Sequence, residues 1–148
     1  VYVEIGSQMD KAFLDSVCRK HGPFDIIVDD GGHTSQMISI TLVHMLRNGR
    51  CLRQMGGVYV VEDTHVMTDC ARGYCSSPTD IWSIFGRVWE SMHLSYRKSG
   101  GLGPVSVFMY RAIVFVVLGK QEKEVAVKRG RNFFDNGRLI YNAPDAYT

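Results

Sequence analysis

The sequence predicts an α/β fold: a mostly parallel sheet that ends in an antiparallel C-terminal hairpin. Three observations carry this reading. Short β-branched runs alternate with longer segments whose apolar residues recur at helical spacing. Two of the runs, Ile26-Ile27-Val28 and Val58-Tyr59-Val60-Val61, stop abruptly on adjacent acids, Asp29-Asp30 and Glu62-Asp63. The last two runs, Val105–Tyr110 and Ile113–Leu118, are joined by Arg111-Ala112 alone. That link is too short for a crossover helix, so these two strands must pair antiparallel.

Taken in order, Val1–Ile5 alternates like a strand and leaves through Gly6-Ser7-Gln8. Asp10 to Lys20 carries Phe13, Leu14 and Val17 on one helical stripe and is stopped by Gly22-Pro23. Ile26–Val28 is the second strand. Thr34 or Ser35 caps a helix with apolar Met37, Ile38, Ile40, Leu42, Val43, Met45 and Leu46, ending near Asn48-Gly49. Val58–Val61 is the third strand. A polar loop, Thr64–Pro78, leads to a long amphipathic helix capped by Thr79 or Asp80. In that helix Trp82, Phe85 and Trp89 are expected to pack in the core rather than to stack on a substrate. Ser99–Pro104 is a break before the final two strands. From Lys120 on, mixed charge with Gly and Asn reads as a loosely packed tail, so the division is 1–120 for the domain and 121–148 for the tail.

Bulk properties narrow the function classes. The chain has 148 residues, 45% hydrophobic and 22% charged, enough for one domain with a sizeable core. No apolar run is long enough to span a bilayer. A net charge of +2 without an aromatic-interleaved basic stripe argues against a nucleic-acid partner. Cys18, Cys51, Cys70 and Cys75 lack CxxC or zinc-ribbon spacing, so reduced thiols in a cytoplasmic protein are expected, with a Cys70–Cys75 bridge as the alternative.

The acids carry the chemistry. Ligands of open α/β sheets bind beyond the carboxyl ends of the strands. Two neighbouring strands ending in Asp29-Asp30 and Glu62-Asp63 therefore place four carboxylates around one crevice, a donor set suited to a hard cation such as Mg²⁺. Consecutive strand residues point to opposite faces, so Glu62 and Asp63 converge only if the chain turns there. Gly31-Gly32 lets the backbone pass close to a ligand, and His33 follows. An imidazole titrating near neutrality can take a proton from a hydroxyl acidified by a metal, which makes His33 the candidate general base and His65 the spare. His21, His44 and His93 have no ligand spacing between them.

With these motifs in this order, the chain resembles the C-terminal part of a Rossmann-like class I S-adenosylmethionine-dependent methyltransferase. More narrowly, it resembles the macrocin O-methyltransferase type and its cephalosporin-hydroxylase-like relatives. The family's "fDIIIDDGgH" is matched by Phe24–His33 and its "pGGlYvIED" by Met55–Asp63. "GDQ-D–FL" is matched by Gly6-Ser7-Gln8 with Asp10, Phe13 and Leu14. The family's closing strands are echoed by Ser106–Phe115, up to Gly119-Lys120. The resemblance implies Asp30, Glu62 and Asp63 as Mg²⁺ ligands, and Ser7, Gln8 and Asp29 on the S-adenosylmethionine side. It further implies a small-molecule acceptor, a sugar or polyketide-type natural product, and allows a homo-oligomer; no membrane or nucleic-acid partner is implied. The glycine-rich loop after the family's first strand and the acid ending its second have no counterpart. The N-terminal strands are thus expected to be missing and Val1–Ile5 to stand as the family's third strand. Ser7 replaces an acid and Phe108 a frequent histidine. Two other classes remain open on the residues alone. One is a non-catalytic or truncated protein of this fold; the other is a metal-dependent hydrolase using the same acids and His33.

Overall fold

In a computed structural model of the chain, the residues described are 1–74, 81–94, 101–121, 132–135 and 138–141. Three helices, α1 (Lys11–His21), α2 (Ser35–Arg47) and α3 (Ile81–Leu94), accompany a four-stranded sheet. Its strands are β1 (Ile26–Asp29), β2 (Val58–Glu62), β3 (Leu102–Met109) and β4 (Ile113–Lys120), in the spatial order β1-β2-β4-β3. β1 and β2 run parallel, with Ile26 beside Val58 and Asp29 beside Val61. β4 runs antiparallel to both β2 and β3. Three strands thus share one direction and β4 alone opposes them, as the two-residue link at Arg111-Ala112 requires.

Local chemistry sets the boundaries. Asp10 caps α1, its carboxylate accepting from the backbone N–H of Ala12 at 2.9 Å and of Phe13 at 3.2 Å. Thr34 caps α2 by accepting from Met37 N–H at 3.2 Å. The caps expected for α3, Thr79 or Asp80, lie outside the described residues. β3 starts earlier than expected, since Gly103-Pro104 belongs to the strand rather than to a break. β3 is an edge strand, and its register shifts between Pro104 and Ser106. An edge with a bulge is where a residue lacking an N–H is tolerated.

The core lies between the helices and one sheet face. Leu14 and Cys18 of α1, Ile38, Leu42 and Met45 of α2, and Ile81, Phe85 and Val88 of α3 meet Tyr59, Val61, Val114, Val116 and Leu118. In α3 this corrects the expectation of a Trp82/Phe85/Trp89 core. The buried stripe is 81, 85, 88, and each tryptophan stands one position, about 100°, off it. Trp82 and Trp89 are therefore exposed while Phe85 is buried.

Three further expectations are corrected. Val1–Ile5 is not a strand: all five residues are exposed and pair with none of the described backbone. Alternating pattern alone does not make a strand, because its N–H and C=O groups need a ladder. The segment instead lies on the end of α1, where Glu4 meets Lys20 at 2.6 Å and His21 at 2.8 Å. Those two side chains hold the Glu4 carboxyl below its ordinary value, through hydrogen bonds from His21 first and Lys20 second. Cys18 and Cys51 are joined in a disulfide, not reduced. Their 33-residue separation gives no spacing signal. The fold joins them because the turn after α2 returns to β1, Phe24 donating to the Cys51 carbonyl at 2.7 Å. Cys75 of the alternative bridge lies outside the described residues. Within the segment read as tail, β5 (Asn132–Asp135) pairs antiparallel with β6 (Arg138–Tyr141).

The opposite sheet face carries no described helix. Ile26, Val28, Phe108 and Tyr110 are each at least half exposed there, beside a shallow apolar hollow between β2, β3 and β4. Contiguous apolar surface of this kind drives association. The 148-residue chain alone is therefore expected to self-associate in light scattering. A Val28→Lys, Phe108→Lys double variant should shift it toward monomer. A wild-type chain that stays monomeric over the same concentration range contradicts this. No described helix is long and apolar enough to cross a membrane.

Candidate active site

The parallel pair β1–β2 delivers both acid pairs to one end of the sheet. Asp29, the last residue of β1, faces the core, so Asp30 beyond it turns outward and is exposed. β2 ends at Glu62, and at Asp63 the chain turns: φ 52°, ψ 34°, the left-handed region. The turn carries Asp63, but not Glu62, toward the end of β1. Asp tolerates this conformation better than most residues, although it remains uncommon.

The turn brings Asp63 to Asp30 and His33. One ligand atom from each of these three lies within 4.8 Å of the others. Glu62, half-buried at the strand end, is not a member of this trio. Bland roles for the acids are weakened by their surroundings. Thr34, not Asp30, caps α2. The 3₁₀ turn that follows Asp63 receives no side-chain cap bond from it. Two carboxylates with an imidazole beside them fit a divalent cation that keeps some water ligands. His33 is half-buried and meets the Tyr74 ring edge-on, centroids 6.4 Å apart. His65 is more exposed, its Nδ1 3.8 Å from an Asp63 oxygen, and belongs to the rim.

Behind the trio lies a polar cluster that sequence reasoning only half found. Asp29 is buried, accepting from the Tyr59 hydroxyl at 2.7 Å and from Gln8 Nε2 at 3.3 Å. Burial pushes its carboxyl above the usual range, while the bonds from Tyr59, Gly31 N–H and Gln8 oppose that rise. Burial, and next the Asp29 charge, push the Tyr59 hydroxyl well up, so it stays a donor. Gln8 also donates to Thr41 Oγ1 at 3.2 Å and accepts from Gly32 N–H at 2.5 Å. Ser7 is exposed, its hydroxyl accepting from Met9 N–H. Of the residues assigned to the cofactor side, Gln8 and Asp29 thus meet each other and Ser7 stands apart. Tyr59 and Thr41 were missed; the only signal for Tyr59 is a hydroxyl inside an otherwise aliphatic strand.

No family model matches the chain. Among curated proteins it is 34% identical over 127 residues to demethylmacrocin O-methyltransferase of Streptomyces fradiae, covering 78% of this chain and 31% of that protein. It is 35% identical over 104 residues to L-olivosyl-oleandolide 3-O-methyltransferase of Streptomyces antibioticus, covering 63% and 24%. With mycinamicin VI 2''-O-methyltransferase of Micromonospora griseorubida it shares 40% over 58 residues, covering 39% and 14%. The fold matches as well. The solved structure of MycE methyltransferase from the mycinamycin biosynthetic pathway, in complex with Mg, SAH and mycinamycin VI, superposes with a TM-score of 0.66. That match is 25% identical and covers 86% of this chain and 34% of that one. The chain carries part of a macrocin-type class I methyltransferase domain. This methyltransferase segment spans no more than about a third of the length of these relatives.

Proposed function

We propose that the chain forms part of a Mg²⁺-dependent, S-adenosylmethionine-dependent O-methyltransferase acting on a hydroxyl of a small molecule. A sugar on a polyketide-type natural product is the acceptor class favoured by the relatives. The observation that carries this reading is the meeting of Asp30, His33 and Asp63 at the ends of two adjacent parallel strands. In this reading Asp30 and Asp63 hold the cation, with Glu62 as the third acid. Ser7, Gln8 and Asp29 form the cofactor side. When bound, the cation lowers the pKa of an acceptor hydroxyl and offsets the charge that develops on its oxygen.

The chain's own residues supply the rest. His33 accepts the hydroxyl proton while the oxygen is aligned with the methyl it attacks. Asp30 and Asp63 fix the acceptor's orientation, so most of the rate gain comes from positioning. Tyr74, edge-on to His33, restricts the imidazole's rotation. A second reading, a metal-dependent hydrolase, is favoured by one observation only: the imidazole lies close enough to be a ligand itself, which suits a transition metal better than Mg²⁺.

Calorimetric titration with S-adenosylhomocysteine and with Mg²⁺, each with and without the other, tests the proposal. Binding of both is expected in the whole protein. Cation binding without any S-adenosylhomocysteine binding favours the hydrolase, and binding of neither leaves a non-catalytic protein of this fold.

A further inference from the structure

The loop between the strand end and α2 must hold two groups at a fixed spacing, Asp30 at its start and His33 at its end. Its middle, Gly31-Gly32, has no side chains with which to anchor itself. What touches that middle is Gln8, which lies 24 residues away from Gly32 in sequence. A Cβ on Gly31 would come within 2.6 Å of Gln8 Oε1, and one on Gly32 would meet Met37 Sδ at 2.3 Å as well as Gln8 Oε1 at 3.0 Å. The carboxamide therefore fills the space beside Gly31 and shares that beside Gly32 with the Met37 side chain.

We propose that Gln8 is a positioning residue of the acidic site, one that sets the spacing of Asp30 and His33 by clamping the Gly31–Gly32 backbone. Its two ends are used differently. Oε1 accepts from Gly32 N–H, and Nε2 donates to Asp29 Oδ1 at 3.3 Å and to Thr41 Oγ1 at 3.2 Å. Asp29 is in turn held by the Tyr59 hydroxyl at 2.7 Å, and Thr41 donates to the Met37 carbonyl at 3.0 Å. The clamp thus ties the loop to β1, β2 and α2 at once. A carboxamide is the side chain that can do this, because it offers an acceptor and two donors on one rigid plane. Outer groups that orient metal ligands in this way commonly change cation affinity by about 10–100-fold when removed.

The inference rests on the reading of Asp30, His33 and Asp63 as a cation site, and the test separates the two. Mn²⁺ is the probe, followed by the loss of its free-ion electron paramagnetic resonance signal in the whole protein. Gln8→Met keeps the length and apolar stem but removes every hydrogen bond. It is expected to weaken Mn²⁺ binding by about 10–100-fold and to change the bound-ion line shape. Leu118→Val, in the buried core at the end of β4 away from the acids, controls for stability; it should lower the unfolding midpoint and leave Mn²⁺ affinity unchanged. Wild-type Mn²⁺ affinity in Gln8→Met overturns the proposal, as does an equal loss in Leu118→Val. Unchanged binding in Asp30→Ala overturns the site reading itself, and this proposal with it.

Discussion

His33→Ala is expected to lower methyl transfer by about 10²–10⁴-fold, the usual range for a lost general base, while divalent-cation affinity stays nearly unchanged. Mg²⁺ takes oxygen donors, and Asp30 and Asp63 already supply them beside the imidazole. Neutral imidazole is therefore freer to act on a proton than to bind the ion. The deficit should shrink at high pH, where more of the acceptor hydroxyl is already ionised. Steady-state rates across pH, paired with Mg²⁺ titrations, check both halves. If His33→Ala abolishes cation binding and the residual rate tracks the ion that remains bound, His33 is a ligand and the hydrolase reading gains.

Asp63 should show the opposite coupling, with function and stability moving apart. Its backbone lies at φ 52°, where residues with a Cβ are strained by about 1–2 kcal/mol. No cap bond from its side chain offsets that cost. Asp63→Gly and Asp63→Ala are both expected to lose Mg²⁺ binding. Glycine tolerates the turn and alanine does not, so the glycine variant should be more stable than the alanine variant by about 1 kcal/mol. Denaturant unfolding of the two variants in chelator reads this directly. Equal stability would mean that the turn stores no strain. Retained Mg²⁺ affinity in both would remove Asp63 from the site.

The legible parts of the fold share a local cause. The helix start at Thr34 was readable because a capping side chain acts on N–H groups two or three residues away. The β3–β4 pairing was readable because two linking residues leave the chain no other path. What was missed depends on partners distant in sequence. Val1–Ile5 has a strand's pattern but no ladder, and the Cys18–Cys51 bridge closes only once the turn after α2 folds back. The hairpin at β5–β6 is a different failure, since Asn136-Gly137 sits between its strands in the sequence. That dipeptide is a strong short-range hairpin signal, and the mixed charge around it masked it. In the site, the abrupt ends of two apolar runs singled out Asp30, His33, Glu62 and Asp63, of which the structure brings Asp30, His33 and Asp63 together. The inward use of Gln8 and Asp29 was not found, because it depends on Tyr59 and Thr41, which reach the same point from β2 and α2.

The most direct test of the account is methyl transfer by the whole protein from S-adenosylmethionine to glycosylated macrolide acceptors, demethylmacrocin and mycinamicin VI among them. Labelled methyl is followed with Mg²⁺ present, after chelation, and after Mg²⁺ is restored. The account predicts transfer to an acceptor hydroxyl that chelation stops and Mg²⁺ restores, and that Asp30→Ala lacks at ordinary Mg²⁺ concentrations. Transfer that survives both chelation and Asp30→Ala would contradict it, because the acids at the ends of β1 and β2 would then have no part in the chemistry.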